Sequence, residues 1–165
     1  MQMLPHIEDA APRFLVGLHA TMSLQVNGIQ ALWQAFMPQR DQVTTEGANG
    51  PLCTLRSYPQ AYFEAFRPET PYTQWVGKLL AARPDVVPDG MTCLEVPGGP
   101  YAVFSYVGPG GSAAPYQYIF GQWLPAADYV LDHARPHFEV LGEAYRQGAP
   151  ENEEDIWIPI TRKGP

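Results

Sequence analysis

The sequence predicts an α+β domain of two tandem β-α-β-β modules with pseudo-twofold symmetry, an antiparallel sheet and two main helices. Two observations carry this expectation. The segment QALWQAFMP (Gln30 to Pro38) returns about 87 residues later as QYIFGQWLP (Gln117 to Pro125), each copy following a strand-like run. Runs of strands with only two helical patterns also exclude a doubly wound parallel fold.

The same shift, without a gap, sets Phe14-Leu15-Val16 on Tyr101-Ala102-Val103 and PLCTLRSY (Pro51 to Tyr58) on FEVLGEAY (Phe138 to Tyr145). Elements recur in one order and spacing in both halves, the mark of an internal duplication. A chain of 165 residues is the size of one domain, so the expectation is a single ligand-binding domain over 1–165, with module one about 10–82 and module two about 90–161. The cleft between the halves is where a ligand is expected.

Along the chain, RFLVGLHATMS (13–23) reads as a strand, and Asn27 as a helix N-cap. From Ile29 the apolar residues Leu32, Trp33, Phe36 and Met37 follow at helical spacing until Pro38 closes the pattern. Arg40 to Asn49 reads as a polar loop, 52–58 and 72–80 as strands, and 60–70 as an irregular connection. Met91 to Val96 and Tyr101 to Val107 read as strands around PGGP (Pro97 to Pro100). The second helix carries Tyr116, Ile119, Phe120, Trp123 and Leu124 on one face, and 138–145 and 155–160 supply the last strands. The acidic run Glu151 to Asp155 reads as a solvated loop before the final strand.

A formal charge of −7, from 10 basic and 17 acidic residues, argues against direct nucleic-acid binding, which needs clustered Lys and Arg. Two cysteines, Cys53 and Cys93, are too few for a disulfide framework and fit a reducing, cytoplasmic setting. No stretch reaches the roughly 18 consecutive apolar residues of a membrane span, so no membrane partner is expected. No cofactor, metal or catalytic residue is read from the residues. GPGG (108–111) lacks a following Lys, and GGSAA (110–114) misses the nucleophile-elbow pattern. His133 and His137 are four apart, but Pro136 removes the helix that would aim them at one metal.

The aromatic content points further. Four Trp, nine Tyr and seven Phe include Trp33, Phe36, Trp75, Tyr106, Tyr116, Tyr118, Trp123 and Trp157 on the duplicated helices and strands, with Phe120 beside them. Each ring alone reads as core; as a set they read as an aromatic-walled cleft for flat or cationic ligands. Glu139 lies between Phe138 and Val140 where the gap-free shift gives Leu52 in the first copy. It is either a carboxylate in an apolar cleft, which needs a compensating charge, or an ordinary acid on a solvent-facing strand.

GGPYAVFSYVGP (98–109), QWLPAADY (122–129), RPHFEVLGEAY (135–145), DIWIPI (155–160) and ALWQAFMPQRDQV (31–43) together resemble the gyrase-inhibitor-like small-molecule-binding family. Its members include effector-binding domains of AraC-type and multidrug-sensing transcription regulators. The resemblance implies two β-α-β-β modules, a ligand cleft between them, and an acidic residue that contacts hydrophobic cations; here that residue is Glu139. The family's usual Tyr two positions on is Leu141 in this chain. The ligand-binding set expected is therefore Glu139, Trp33, Phe36, Trp75, Tyr106, Tyr116, Phe120, Trp123, Leu141 and Trp157. The partner expected is a small hydrophobic or cationic ligand, a protein partner being left unidentified. The resemblance also implies two alternatives: a hydrolase of strained electrophiles using Glu139 with Trp123 or Trp157, and inhibitory binding to a protein such as gyrase.

Overall fold

The structure, a computed structural model, describes residues 2–44, 50–146 and 149–164. The strands are β1 (His6–Ala10), β2 (Arg13–Met22), β3 (Leu52–Ser57), β4 (Tyr72–Leu80), β5 (Thr92–Val96), β6 (Gly99–Val107), β7 (Tyr129–Leu131), β8 (His137–Leu141) and β9 (Glu153–Arg162). The helices are α1 (Ile29–Phe36), followed by a 3-10 stretch (Met37–Gln42), and α2 (Ala114–Tyr118), which runs on through a π-wound turn (Ile119–Trp123) and a last turn (Leu124–Ala126).

All strand pairs are antiparallel, in the order β1-β6-β9-β8-β3-β4-β2-β5, with β7 added beside β9. Exchanging β1, β2, β3 and β4 for β5, β6, β8 and β9 reverses that order onto itself, so the duplication is a pseudo-twofold about the β3–β8 pair. The registers fix where the axis passes. Arg13 faces Val96 across β2–β5 as Gly99 faces Ala10 across β6–β1, and Cys53 and Leu55 share the inner core with Phe138 and Val140. The equivalences are then Leu15 with Tyr101, Thr54 with Glu139 and Gln74 with Glu154, shifts of 86, 85 and 80 residues.

This corrects the gap-free shift of 87. Glu139 corresponds to Thr54, its own cross-strand partner on the axis, and Leu52 is not its counterpart. Along the helices 87 does hold: the burial pattern from Ile29 to Pro38 repeats closely from Tyr116 to Pro125, with Trp33 at Phe120 and Phe36 at Trp123. Side chains alternate faces along a strand, so a shift that slips by one residue inverts every face assignment.

Ala11-Pro12 alone joins β1 to β2, and Pro97-Gly98 alone joins β5 to β6, although each pair stands far apart in the strand order. The sheet must therefore curl until these two crossings meet. At Gly98 they touch, for a side chain there would lie 2.5 Å from the Ala10 carbonyl oxygen. The concave face encloses a core of Leu15, Leu55, Trp75, Tyr101, Phe138 and Trp157 drawn from both halves. On the opposite face α1 covers Val16 and Val76, while α2 and its continuation cover Phe104, Ile156 and Ile158.

Several boundaries differ from the sequence expectation. Gly28, not Asn27, caps α1; the Asn27 side chain instead accepts the Ile29 N–H at 3.0 Å. The helical path does not stop at Pro38, since a proline at the start of the 3-10 stretch needs no N–H. β1 and β7 are additional strands, and β8 ends at Leu141 because the chain turns at Gly142. Residues 45–49 of the expected Arg40–Asn49 loop lie outside the described residues. The acidic run is not a loop throughout: β9 begins at Glu153, and Asn152 and Glu154 are buried.

Candidate functional site

Between α1 and α2 the two central strands present a floor of unusual polarity. On β3 the residues facing the helices are Leu52, Thr54 and Arg56; on β8 they are His137, Glu139 and Leu141, with Gln74 on β4 and Glu154 on β9 flanking them. Thr54, Gln74, His137, Glu139 and Glu154 are all buried. A buried carboxylate is tolerated when charge and hydrogen bonds compensate for lost water. Glu139, 6 % exposed, has both.

Arg56 Nη2 donates to Glu139 Oε1 at 2.6 Å and Thr54 Oγ1 donates to Oε2 at 3.0 Å. The Tyr116 hydroxyl, from α2, donates to Oε1 and in turn accepts from Arg56 Nη2 at 3.2 Å. Arg56 Nε donates to the Tyr58 hydroxyl at 3.0 Å, and the guanidinium lies 5.6 Å from the Tyr116 ring centre. Burial pulls the Arg56 pKa down, but the adjacent Glu139 charge more than offsets it and holds the guanidinium ionised. Burial, then the Glu139 charge, drives the Tyr116 hydroxyl well above the phenol range, so it stays protonated and donates. His137 is neutral, its pKa lowered to about 3 by burial and by Arg56.

Aromatic rings wall this floor. Phe63, from the connection between β3 and β4, lies 5.4 Å from the His137 ring at an interplanar angle of 9° and 5.8 Å from Phe120. Tyr58 meets His137 edge-on at 5.0 Å, and Tyr116 stacks near Phe120. The Phe63 ring therefore fills the space above the floor. Two cavities lie away from it, one lined by Tyr118, Gln122, Trp123 and Ala126, the other by Gln42, Arg83, Asp85 and Val86.

Of the ten residues expected from sequence, the structure gathers Glu139, Tyr116, Phe120 and Leu141 at the cleft. Trp75 and Trp157 are elsewhere: they lie on the concave face, in the inner core, with the sheet between them and Glu139. Phe36 is fully buried under α1, with Trp33 edge-on to it at 6.1 Å. Trp123 packs edge-on to Phe104, and Tyr106 belongs to the same core beneath α2. Arg56, Thr54, Tyr58, Phe63, His137 and Glu154 join the site without having been expected there. The run AYFEAF (61–66), three rings in an irregular connection, is the sequence signal for Phe63. Arg56 meets Glu139 across 83 residues, and no local pattern reveals that.

Among the described residues no group of three or more His, Cys, Asp or Glu is placed to hold a metal ion, and no helix is long and apolar enough to cross a membrane.

The fold recurs among solved structures. SAV2435 bound to tetraphenylphosphonium superposes with a TM-score of 0.66 at 15% identity, covering 96% of this chain and 94% of that one. The EcmrR C-terminal domain gives 0.67 at 11% identity, covering 99% and 100%. A hydrolase encoded by lin2189 from Listeria innocua gives 0.58 at 13% identity, covering 95% and 91%. At such identities the likeness shows the fold. No curated protein matches the sequence significantly. The sequence profile of the GyrI-like small molecule binding domain matches residues 3–161, nearly the whole chain, and with the curled, pseudo-twofold sheet it establishes that this protein belongs to the GyrI-like small-molecule-binding domain family.

Proposed function

We propose that the chain is a cytoplasmic binding protein for hydrophobic small molecules, cations favoured, and that residues 1–165 act as one ligand-binding domain with modules of about 10–82 and 90–161. The ligand enters the cleft over β3 and β8. The observation that carries this reading is the floor itself: two buried carboxylates, Glu139 and Glu154, against one arginine, under the rings of Tyr58, Phe63, Tyr116 and Phe120. Rings that bury one face and offer another to a cation suit such ligands. The tetraphenylphosphonium held by SAV2435 is a ligand of this kind.

Phe63 has to move for a ligand to reach the floor, and Glu139 already holds Arg56, Tyr116 and Thr54, so its first role is to fix Arg56 and Tyr116 in place. Thermal unfolding with a panel of tetraphenylphosphonium, cationic dyes and neutral aromatics tests the reading. A ligand at 100 times its Kd stabilises the native state by about 2.7 kcal/mol. Shifts for hydrophobic members that vanish in Phe120→Asp support the cleft; shifts that persist in that variant place binding elsewhere.

One observation favours a second reading. Tyr116 donates to Glu139 in the partly buried cleft, an arrangement able to position a general base and a proton donor on a strained electrophile. Product formation from such a substrate, lost in Tyr116→Phe, supports hydrolysis.

A further inference from the structure

We propose that Glu154 is the residue that pairs with the positive charge of a ligand in this cleft, while Glu139 is retained by Arg56. The inference rests on the ligand-binding reading above and assigns the charge within it. Glu154 is 8 % exposed, and among the described residues no hydrogen bond or ion pair engages its carboxylate. Its oxygens keep only a residual opening to solvent, and an acid this far buried without a protein counter-charge is costly to ionise and suited to a cationic partner.

Its position supplies the geometry. Glu154 faces Leu141 on β8 and Tyr106 on β6, and Glu139 faces Ile156 beside it, so the two acids are diagonal neighbours on one face of the sheet. Arg56 faces His137 and meets Glu139 from the other side. The floor therefore runs from cation to paired acid to unpaired acid. A ligand cation that went to Glu139 would have to displace a guanidinium at 2.6 Å, whereas Glu154 has no counter-ion to displace. Tyr116 from α2 and Tyr145 from the turn after β8 lie within its electrostatic reach, two phenols that suit a hydrophobic cation. The Tyr145 hydroxyl lies so close to Gly110 that a side chain there would strike it.

The duplication provides an internal control. The pseudo-twofold counterpart of Glu154 is Gln74, buried at the matching place on β4, where its amide donates to the Leu55 and Trp75 carbonyls at 3.2 and 3.1 Å. The fold thus accommodates a neutral amide at this position, and the carboxylate of the second copy is the departure. Burial, and then the Glu139 charge, raise the Glu154 pKa to about 7. A docking cation favours the ionised form, so binding near neutrality sends the Glu154 proton to the buffer.

Calorimetric titration with tetraphenylphosphonium and with neutral triphenylphosphine oxide, on wild type, Glu154→Gln and Glu139→Gln, tests the assignment. In wild type the cation should bind about tenfold more tightly at pH 8 than at pH 6 and release about half a proton at pH 7, seen as different heats in phosphate and Tris. In Glu154→Gln the ratio of cation to neutral affinity should fall by about 10- to 150-fold and the proton release should vanish. The wild-type proton count stands without any variant. A ratio unchanged in Glu154→Gln but collapsed in Glu139→Gln overturns this inference and leaves the ligand-binding reading intact. Failure of both probes to bind the folded wild type overturns that reading and this assignment together.

Discussion

Arg56 and Glu139 meet at 2.6 Å beside the pseudo-twofold axis, so the acid most readily picked out from sequence already carries its counter-ion. Removing one partner of a buried pair leaves the other uncompensated, which costs about 3–5 kcal/mol. Arg56→Met should therefore lose stability on that scale in urea. Arg56→Met/Glu139→Gln should recover much of it, and additive losses would show that the two side chains are energetically independent.

Glu154 should make the protein less stable as pH rises through the weakly acidic range. Its folded pKa of about 7 lies above the unfolded value of 4.5, so the native state holds the extra proton between them and stability drains over that window, levelling off above pH 7. The loss is on the order of 3 kcal/mol. Urea unfolding of wild type and Glu154→Gln, compared at pH 5 and pH 7.5, checks it: the stability of the wild type relative to the variant should fall by this amount, since the opposing His137 contribution is common to both.

His137 works in the opposite direction. Its folded pKa of about 3 lies below the unfolded 6.5, so the unfolded chain takes up the proton first and stability falls as pH drops below 6.5. Between pH 6.5 and 4 this amounts to on the order of 3 kcal/mol. His137→Phe, an aromatic replacement among Tyr58, Phe63 and Phe120, should flatten the acid limb; an unaltered limb would mean that His137 stays accessible to protons.

Phe63 closes the cleft by stacking on His137 and Phe120. Phe63→Ala should raise the association rate of tetraphenylphosphonium in stopped-flow measurements, since no ring has to leave before the ligand enters. It should also destabilise the protein by about 3 kcal/mol, within the range for truncating a packed Phe. An unchanged association rate would place the entrance elsewhere.

The helices and most strands were legible because an apolar face at helical spacing and short β-branched runs leave direct marks, as at Ile29 to Met37 and Thr92 to Val96. The duplication was legible too, but not its axis. Helices tolerate the shift of 87, whereas strand alternation makes a small slip decisive, so Leu52 stood where Thr54 belongs. Trp75 and Trp157 misled for a related reason: β4 and β9 are covered on both faces, and a ring in a doubly covered strand does not announce its side. Glu154 was hidden in an acidic run whose composition suits solvent; register alone turns it inward. The Arg56–Glu139 pair depends on the β3–β8 seam, a contact between the two halves that local sequence does not encode.

The most direct test is the structure of the protein crystallised with tetraphenylphosphonium. The account predicts the cation between α1 and α2, above β3 and β8, with Phe63 displaced, phenyl groups against Phe120 and Tyr116, and the phosphonium nearer Glu154 than Glu139, whose bond to Arg56 persists. A ligand seated instead against Tyr118, Gln122 and Trp123, with the Phe63 ring still on His137, would contradict it.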